Sequence, residues 1–238
     1  MSGSIFPVQL DDVCVRRRGA RILGPVSVEI GGSGLTAILG PNGSGKTTFL
    51  RVLHGLERLS AGRLQWQIAT REAQSRQAYV FQTPIMMRRS VRDNLAYPLQ
   101  LLGVSKSEVS AACETWADRI GLSDALERSA TRLSGGEKQK LALARGLIRR
   151  PEVLFLDEPS TNLDGRATRE IEALLRDALE AGTRIIMATH DLGQARRLAS
   201  DVHFLLTGRI QTSAPAEAFF DAPSTPEAAA FLKGDIVE

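Results

Sequence analysis

The stretch GPNGSGKT, Gly40 to Thr47, fits the pattern GxxxxGK[ST] and sits between the apolar run LTAILG and the run KTTFLRVLHGLERL, which reads as a helix. Residues of these types at this spacing can hold a polyphosphate. Gly40, Gly43 and Gly45 let the backbone fold tightly, so that N–H groups of the loop, with Pro41, Asn42 and Ser44 filling the remaining positions, turn toward one anion. The helix that follows, through Thr48 and beyond, adds its positive N-terminal end. Lys46 can reach the β- and γ-phosphates, and the Thr47 hydroxyl suits Mg²⁺.

Two further strand ends carry groups that would complete such a site. VLFLDE, Val153 to Glu158, is an apolar run closed by two acids. Asp157 fits a Mg²⁺ site, directly or through water. Glu158, one residue on, fits a base that takes a proton from an attacking water. His190 follows the apolar run RIIMAT, at a strand end where α/β proteins place ligands, and the reading is a γ-phosphate contact. Taken singly, the acids could be surface groups and the histidine structural; the phosphate loop favours the chemical reading.

LSGGEKQK, Leu133 to Lys140, places Ser134, Gly135 and Gly136 before a helical pattern, which makes a second anion-receptive helix start. One γ-phosphate does not need two such cradles from one face of a chain. A dimer, in which the second cradle closes on the partner's nucleotide, resolves this; an ordinary helix cap is the plainer alternative.

The elements that must position these residues are legible in outline. PVQLDDVCV and PVSVEI read as strands, as do LTAILG, GRLQWQI and QAYVFQ. From residue 84 to about 150 the pattern turns helical, with Ser105 and Glu108 spaced as a capping box. EVLFLDE and RIIMATHD read as two more buried strands, joined by an amphipathic helix, RATREIEALLRDALEAG, that ends at Gly182. A helical insert within an αβ framework is the expectation.

Composition bounds the rest. The 238 residues are 43% hydrophobic and 24% charged, as in an ordinary globular protein. With 30 basic and 27 acidic side chains the balance makes no case for a nucleic-acid partner. Cys14 and Cys113 stand far apart without metal-ligand spacing and read as two buried thiols. No signal peptide and no run of about 18 apolar residues stands out, so a membrane role would need another subunit.

The order GPNGSGKTT, FQ, LSGGE, VLFLDEP, NLD, THD resembles the nucleotide-binding subunit of ATP-binding cassette transporters over nearly the whole chain. The resemblance implies a P-loop NTPase core of mostly parallel sheet with flanking helices, joined to an N-terminal antiparallel β subdomain and an inserted α-helical subdomain. The division would be residues 5–83 and 150–212 for the core with its β subdomain, 84–149 for the helical part and 213–238 for a helical tail, with no further C-terminal domain expected. ATP and Mg²⁺ are the implied ligands. Gln82 would contact Mg²⁺ and the attacking water, Glu158 would be the general base, and His190 would hold the γ-phosphate and Glu158 in register. Ser134 to Gly136 and Asp164 would meet the ATP of a second copy across a homodimer.

The resemblance further implies integral-membrane permease subunits, an extracytoplasmic solute-binding protein and a place on the cytoplasmic face of the inner membrane. Pro84 to Gly103 falls where the family docks its permease, and Met86 and Met87 either are exposed and suit an adaptable groove or are core methionines beside a solvated arginine pair. Its wording is similar to prokaryotic importers, particularly of tungstate-like oxyanions. Efflux or lipoprotein-release ATPases, soluble cassettes and weakly catalytic regulatory cassettes are the competing readings. One departure stands out. The family stacks an aromatic on adenine at a position that falls on or next to Arg17, within VCVRRRGARIL, and no aromatic lies from Val8 to Ile30. Arg17 either stacks in its place or is solvated with its neighbours Arg16 and Arg18.

Overall fold

Short β-branched and aliphatic runs dominate the centre of the chain, and a strand buried on both faces needs such a run. In the computed structural model, which describes residues 3–237, they form two sheets. Along the chain come β1 (Val8–Arg17), β2 (Ala20–Ile30), β3 (Leu35–Leu39), α1 (Lys46–His54), β4 (Ala61–Trp66), α2 (Thr70–Ser75) and β5 (Gln77–Val80). Next are α3 (Val91–Leu101), α4 (Lys106–Arg119), α5 (Gly135–Leu147), β6 (Val153–Asp157), α6 (Gly165–Glu180) and β7 (Arg184–Ala188). The chain closes with α7 (Leu192–Leu198), β8 (Asp201–Leu206), β9 (Arg209–Pro215), α8 (Ala216–Asp221) and α9 (Pro226–Lys233).

The first sheet is antiparallel, in the order β2-β1-β4; the second runs β5-β6-β7-β3-β8-β9 and is parallel except for β9. The period of two sorts its residues to two cores. Leu154 and Leu156 of β6 face a core shared with α3 to α6, whereas Val153 and Phe155 face α1 and the antiparallel sheet. β3 and β7 alternate the same way: Leu35, Ala37, Leu39, Ile185 and Met187 on the first side, Ile38, Ile186 and Ala188 on the second. The parallel register then brings the ends of β3, β5, β6 and β7 to one edge, where the loops that follow carry every strand-end residue singled out above.

Caps set the helix starts. Ser90, Ser105 and Ser134 each form a capping box, with Asp93, Glu108 and Glu137 respectively. Asp164 caps α6 and Asp191 caps α7. α6 ends at Glu180, and Gly182 follows with φ 90°.

Four expectations need correction. The first helix stops at His54, because Gly55 takes the left-handed conformation, and Leu56 is exposed. Cys14 is only half-buried, on the central strand of the antiparallel sheet, while Cys113 is fully buried. Met86 and Met87 are half-buried, and it is their neighbour Ile85, 62% exposed, that faces out there. The segment from residue 213 begins as strand, since β9 runs to Pro215 before two short helices. No helix among the described residues is long and apolar enough to cross a membrane.

Burial leaves a signature in pH. His203 lies buried on β8 against Ser213, and His54 is enclosed at the end of α1; burial lowers both imidazole pKa values, helped by Arg184 and Arg149 respectively, while Asp201 partly opposes it at His203. A histidine whose folded value is lowered takes up its proton more readily when unfolded. Its stabilisation is therefore whole above the unfolded value of about 6.5 and is lost as pH falls below it. The urea midpoint is expected to fall between about pH 7.5 and about pH 5.5, and His203→Gln to flatten part of that slope. A slope unchanged by the substitution would contradict this.

Candidate functional site

The phosphate loop leaves the end of β3 and turns on three glycines of positive φ, Gly40 (149°), Gly43 (81°) and Gly45 (103°). At Gly40 a Cβ would lie 2.1 Å from the Leu205 carbonyl oxygen, so no other residue fits that turn without moving β8. Gly45 stands at the N-cap of α1, where no side chain takes a cap hydrogen bond. The first N–H groups of α1 are thus left for an anion. The Ser44 hydroxyl is buried without a partner, and Lys46 donates to the carbonyls of Gly40 (2.8 Å) and Pro41 (3.0 Å). Burial lowers the Lys46 pKa, while Glu158 and Asp157 act to raise it.

Asp157 ends β6 only 3% exposed. Its Oδ1 accepts from the Thr47 hydroxyl at 2.9 Å and its Oδ2 from the Tyr79 hydroxyl at 3.3 Å. Burial raises its pKa, against those two hydrogen bonds and the Arg51 charge.

Glu158 turns out of the strand with φ 48°, its N–H bonded to the Ala188 carbonyl at 2.8 Å. Three side chains hold its carboxylate: the Gln82 amide (2.9 Å) and the Thr161 hydroxyl (2.9 Å) donate to Oε2, and His190 Nδ1 lies 3.2 Å from Oε1. Glu158, Gln82, Thr161, His190, Asn42, Gly43 and Gly45 to Thr48 surround one cleft of about 520 Å³, with Ile22 also lining it.

Oxygen donors at Thr47 and Asp157 match Mg²⁺, which binds through one or two protein oxygens together with substrate phosphates rather than in an all-protein cage. The described residues hold no group of three or more His, Cys, Asp or Glu side chains placed for a metal. Gln82 lines the same cleft; its amide nitrogen donates to Glu158, and its amide oxygen is the atom that a metal would use.

Ser134, Gly135, Gly136 and Asp164 gather around a second concavity of about 350 Å³. The Ser134 hydroxyl and the Asp164 carboxylate both serve as caps there, accepting from Glu137 and Ala167. Glu137 in turn accepts from the Ser134 N–H at 2.8 Å, which lowers its pKa, so a carboxylate of the chain itself already sits at this helix start. A third hollow shares Gln82 and Thr161 with the cleft and Gly135, Asn162 and Leu163 with the second concavity, so the three are contiguous.

Arg17 is not brought to the cleft. Its guanidinium pairs with Glu57, beyond the far end of α1 from the phosphate loop, and Arg18 with Gly19 forms the two-residue turn between β1 and β2, both at positive φ. The lone apolar side chain at the cleft from this hairpin is Ile22 among the described residues. Ile22, Thr161 and Tyr79 escaped the sequence reading.

A phosphate loop at the end of β3 and paired acids at the end of β6, in a mostly parallel sheet, define a P-loop nucleotide hydrolase. Residues 23–161 match the family described as "ABC transporter". Among similar proteins, the tungstate uptake system ATP-binding protein TupC of Peptoclostridium acidaminophilum is 34% identical over 204 residues, 85% of this chain and 94% of that one. The spermidine/putrescine import ATP-binding protein PotA of Pseudomonas aeruginosa is 35% identical over 213 residues, 87% of this chain and 59% of that one. The solved structure of cbiO1 from Clostridium perfringens, part of the ABC transporter complex cbiONQ, superposes with a TM-score of 0.80 at 26% identity, covering 90% of each chain. The chain belongs to the ABC transporter family, in which it is an ATP-binding ATPase coupled to transport across a membrane.

Because Arg17 is held by Glu57, Arg17→Ala is expected to leave ATP affinity within about twofold of the parent in equilibrium binding, well short of the tenfold that 1.4 kcal/mol would produce. A larger loss would return Arg17 to the nucleotide.

Proposed function

We infer that this chain is the ATP-hydrolysing subunit of a prokaryotic importer and works as a head-to-tail homodimer with nucleotide at the interface. The observation that carries the hydrolytic part is Glu158, held by Gln82, Thr161 and His190 beside the phosphate loop. ATP would lie with its phosphates over the α1 start and Lys46. Glu158 would accept the proton of a water aimed at the γ-phosphate, and Gln82 and His190 would fix that carboxylate and the terminal phosphate. Thr47 and Asp157 would hold Mg²⁺, which when bound neutralises charge on the phosphates.

The dimer reading is supported by the hollow that shares residues with both the cleft and the concavity around the Ser134–Gly136 cradle and Asp164. Two copies related by a two-fold axis can then close each cleft with the partner's cradle.

A permease would dock in a separate groove of about 490 Å³, between α3 and β5. Leu101 (70% exposed), Leu102, Ile85 and Tyr97 line it, together with Arg145 and Arg149. Exposed apolar side chains in one groove mark an interaction site. Docking there would hold the chain at the cytoplasmic face of the membrane, and an extracytoplasmic binding protein would deliver the solute. A tungstate-like oxyanion fits the TupC similarity, and the comparable identity to PotA, named for polyamines, leaves the solute to the partner subunits.

Glu158→Gln keeps the shape of the side chain and removes the base. Phosphate release is expected to fall at least about 100-fold, while ATP binding persists and sizing chromatography with ATP shows a dimer. A variant that stays monomeric and fully active would refute the sandwich.

A further inference from the structure

Tyr79 takes no part in the chemistry above, yet its ring lines the groove and its hydroxyl reaches Asp157. On β5 it pairs in parallel register with Phe155 of β6, and their rings stack with centroids 6.3 Å apart. Asp157 lies two residues beyond Phe155 and so projects to the same face. That register carries the phenol forward to the carboxylate, where its oxygen stands 3.3 Å from Oδ2. The other oxygen is already fixed by Thr47 at 2.9 Å.

The ring itself is clamped edge-on by His54 (centroids 5.5 Å) and tilted against Phe81 (4.6 Å), and all three side chains line the groove. Three residues on, Gln82 reaches Glu158. One short segment, residues 79–82, therefore supplies a separate hydrogen bond to each of the paired acids.

We propose that Tyr79 is a positioning residue for the metal carboxylate: its hydroxyl, together with that of Thr47, fixes the orientation of Asp157 toward Mg²⁺, from a ring that forms the wall of the groove. The proposal rests on the reading that Asp157 serves Mg²⁺. The plainer alternative is a core tyrosine whose hydroxyl takes the nearest acceptor. Both readings allow Tyr79→Phe to destabilise the fold, but only positioning makes the loss specific to Mg²⁺. Outer partners that orient a metal's carboxylate ligand commonly change metal affinity 10–100-fold when removed.

The test measures equilibrium binding of a fluorescent ADP analogue to the full chain, in EDTA and across a Mg²⁺ titration, for the parent, Tyr79→Phe and Asp157→Asn. Tyr79→Phe is expected to raise the Mg²⁺ concentration at half-effect about tenfold and to leave affinity in EDTA unchanged. An unchanged Mg²⁺ dependence, or an equal loss with and without Mg²⁺, overturns the proposal. If Asp157→Asn also leaves the Mg²⁺ dependence unchanged, the assignment of Asp157 falls and the proposal with it; if only Tyr79→Phe is silent, the proposal alone falls.

Should Tyr79→Phe not fold, Tyr97→Phe provides a second route, because the chain has two tyrosines and Tyr79 is then the one that remains. Adding Mg²⁺ to that ADP-loaded variant is expected to shift the tyrosine ultraviolet absorption, and to do so no longer once Asp157→Asn is added. The absence of a Mg²⁺-induced shift, or a shift that survives Asp157→Asn, overturns the proposal.

Discussion

The end of β6 is the constraint on which the site depends. In an extended strand two consecutive acids point to opposite faces. Here Asp157 keeps the strand geometry and stays buried, whereas Glu158 breaks it with φ 48° and turns into the cleft. A left-handed non-glycine residue costs of order 1–3 kcal/mol and persists where its surroundings over-determine it. The surroundings do so: the Glu158 N–H is tied to β7, and Gln82, Thr161 and His190, from three separate loops, converge on its carboxylate. The parallel register of β5, β6 and β7 is what puts those loops side by side.

The same edge concentrates opposing charges out of water. Burial pushes Lys46 toward its neutral form and Asp157 toward its protonated form, and each has partners that counter this. Lys46 lies beside both acids and is anchored to two loop carbonyls; Asp157 is anchored by two hydroxyls. Such a site is poised for an anion with its cation, because triphosphate adds the negative charge that Lys46 and the α1 start lack, and a divalent ion adds the positive charge that Asp157 lacks.

What was legible in the sequence followed from local rules. The glycines of the phosphate loop, the apolar runs ending in acids and the Ser105–Glu108 box depend on neighbours within a few residues, and they appear where the pattern put them. Much of what was not legible depends on contacts between distant segments. Arg17 pairs with Glu57, 40 residues away, and nothing in VCVRRRGARIL encodes that partner. Thr161 reaches Glu158 only because the loop after β6 folds back on itself. Tyr79 reaches Asp157, 78 residues on, through sheet register alone. Ser134 and Asp164 read as nucleotide contacts in the family pattern, and in the single chain they act as helix caps, a role their residue types serve equally well.

The most direct test of the account is steady-state phosphate release from Mg²⁺·ATP by the purified chain and by Lys46→Ala. The cleft as described predicts measurable turnover in the parent and its loss in the variant, because Lys46 is the one lysine lining the cleft among the described residues. Turnover that survives Lys46→Ala undiminished would place the chemistry outside this cleft and contradict the account.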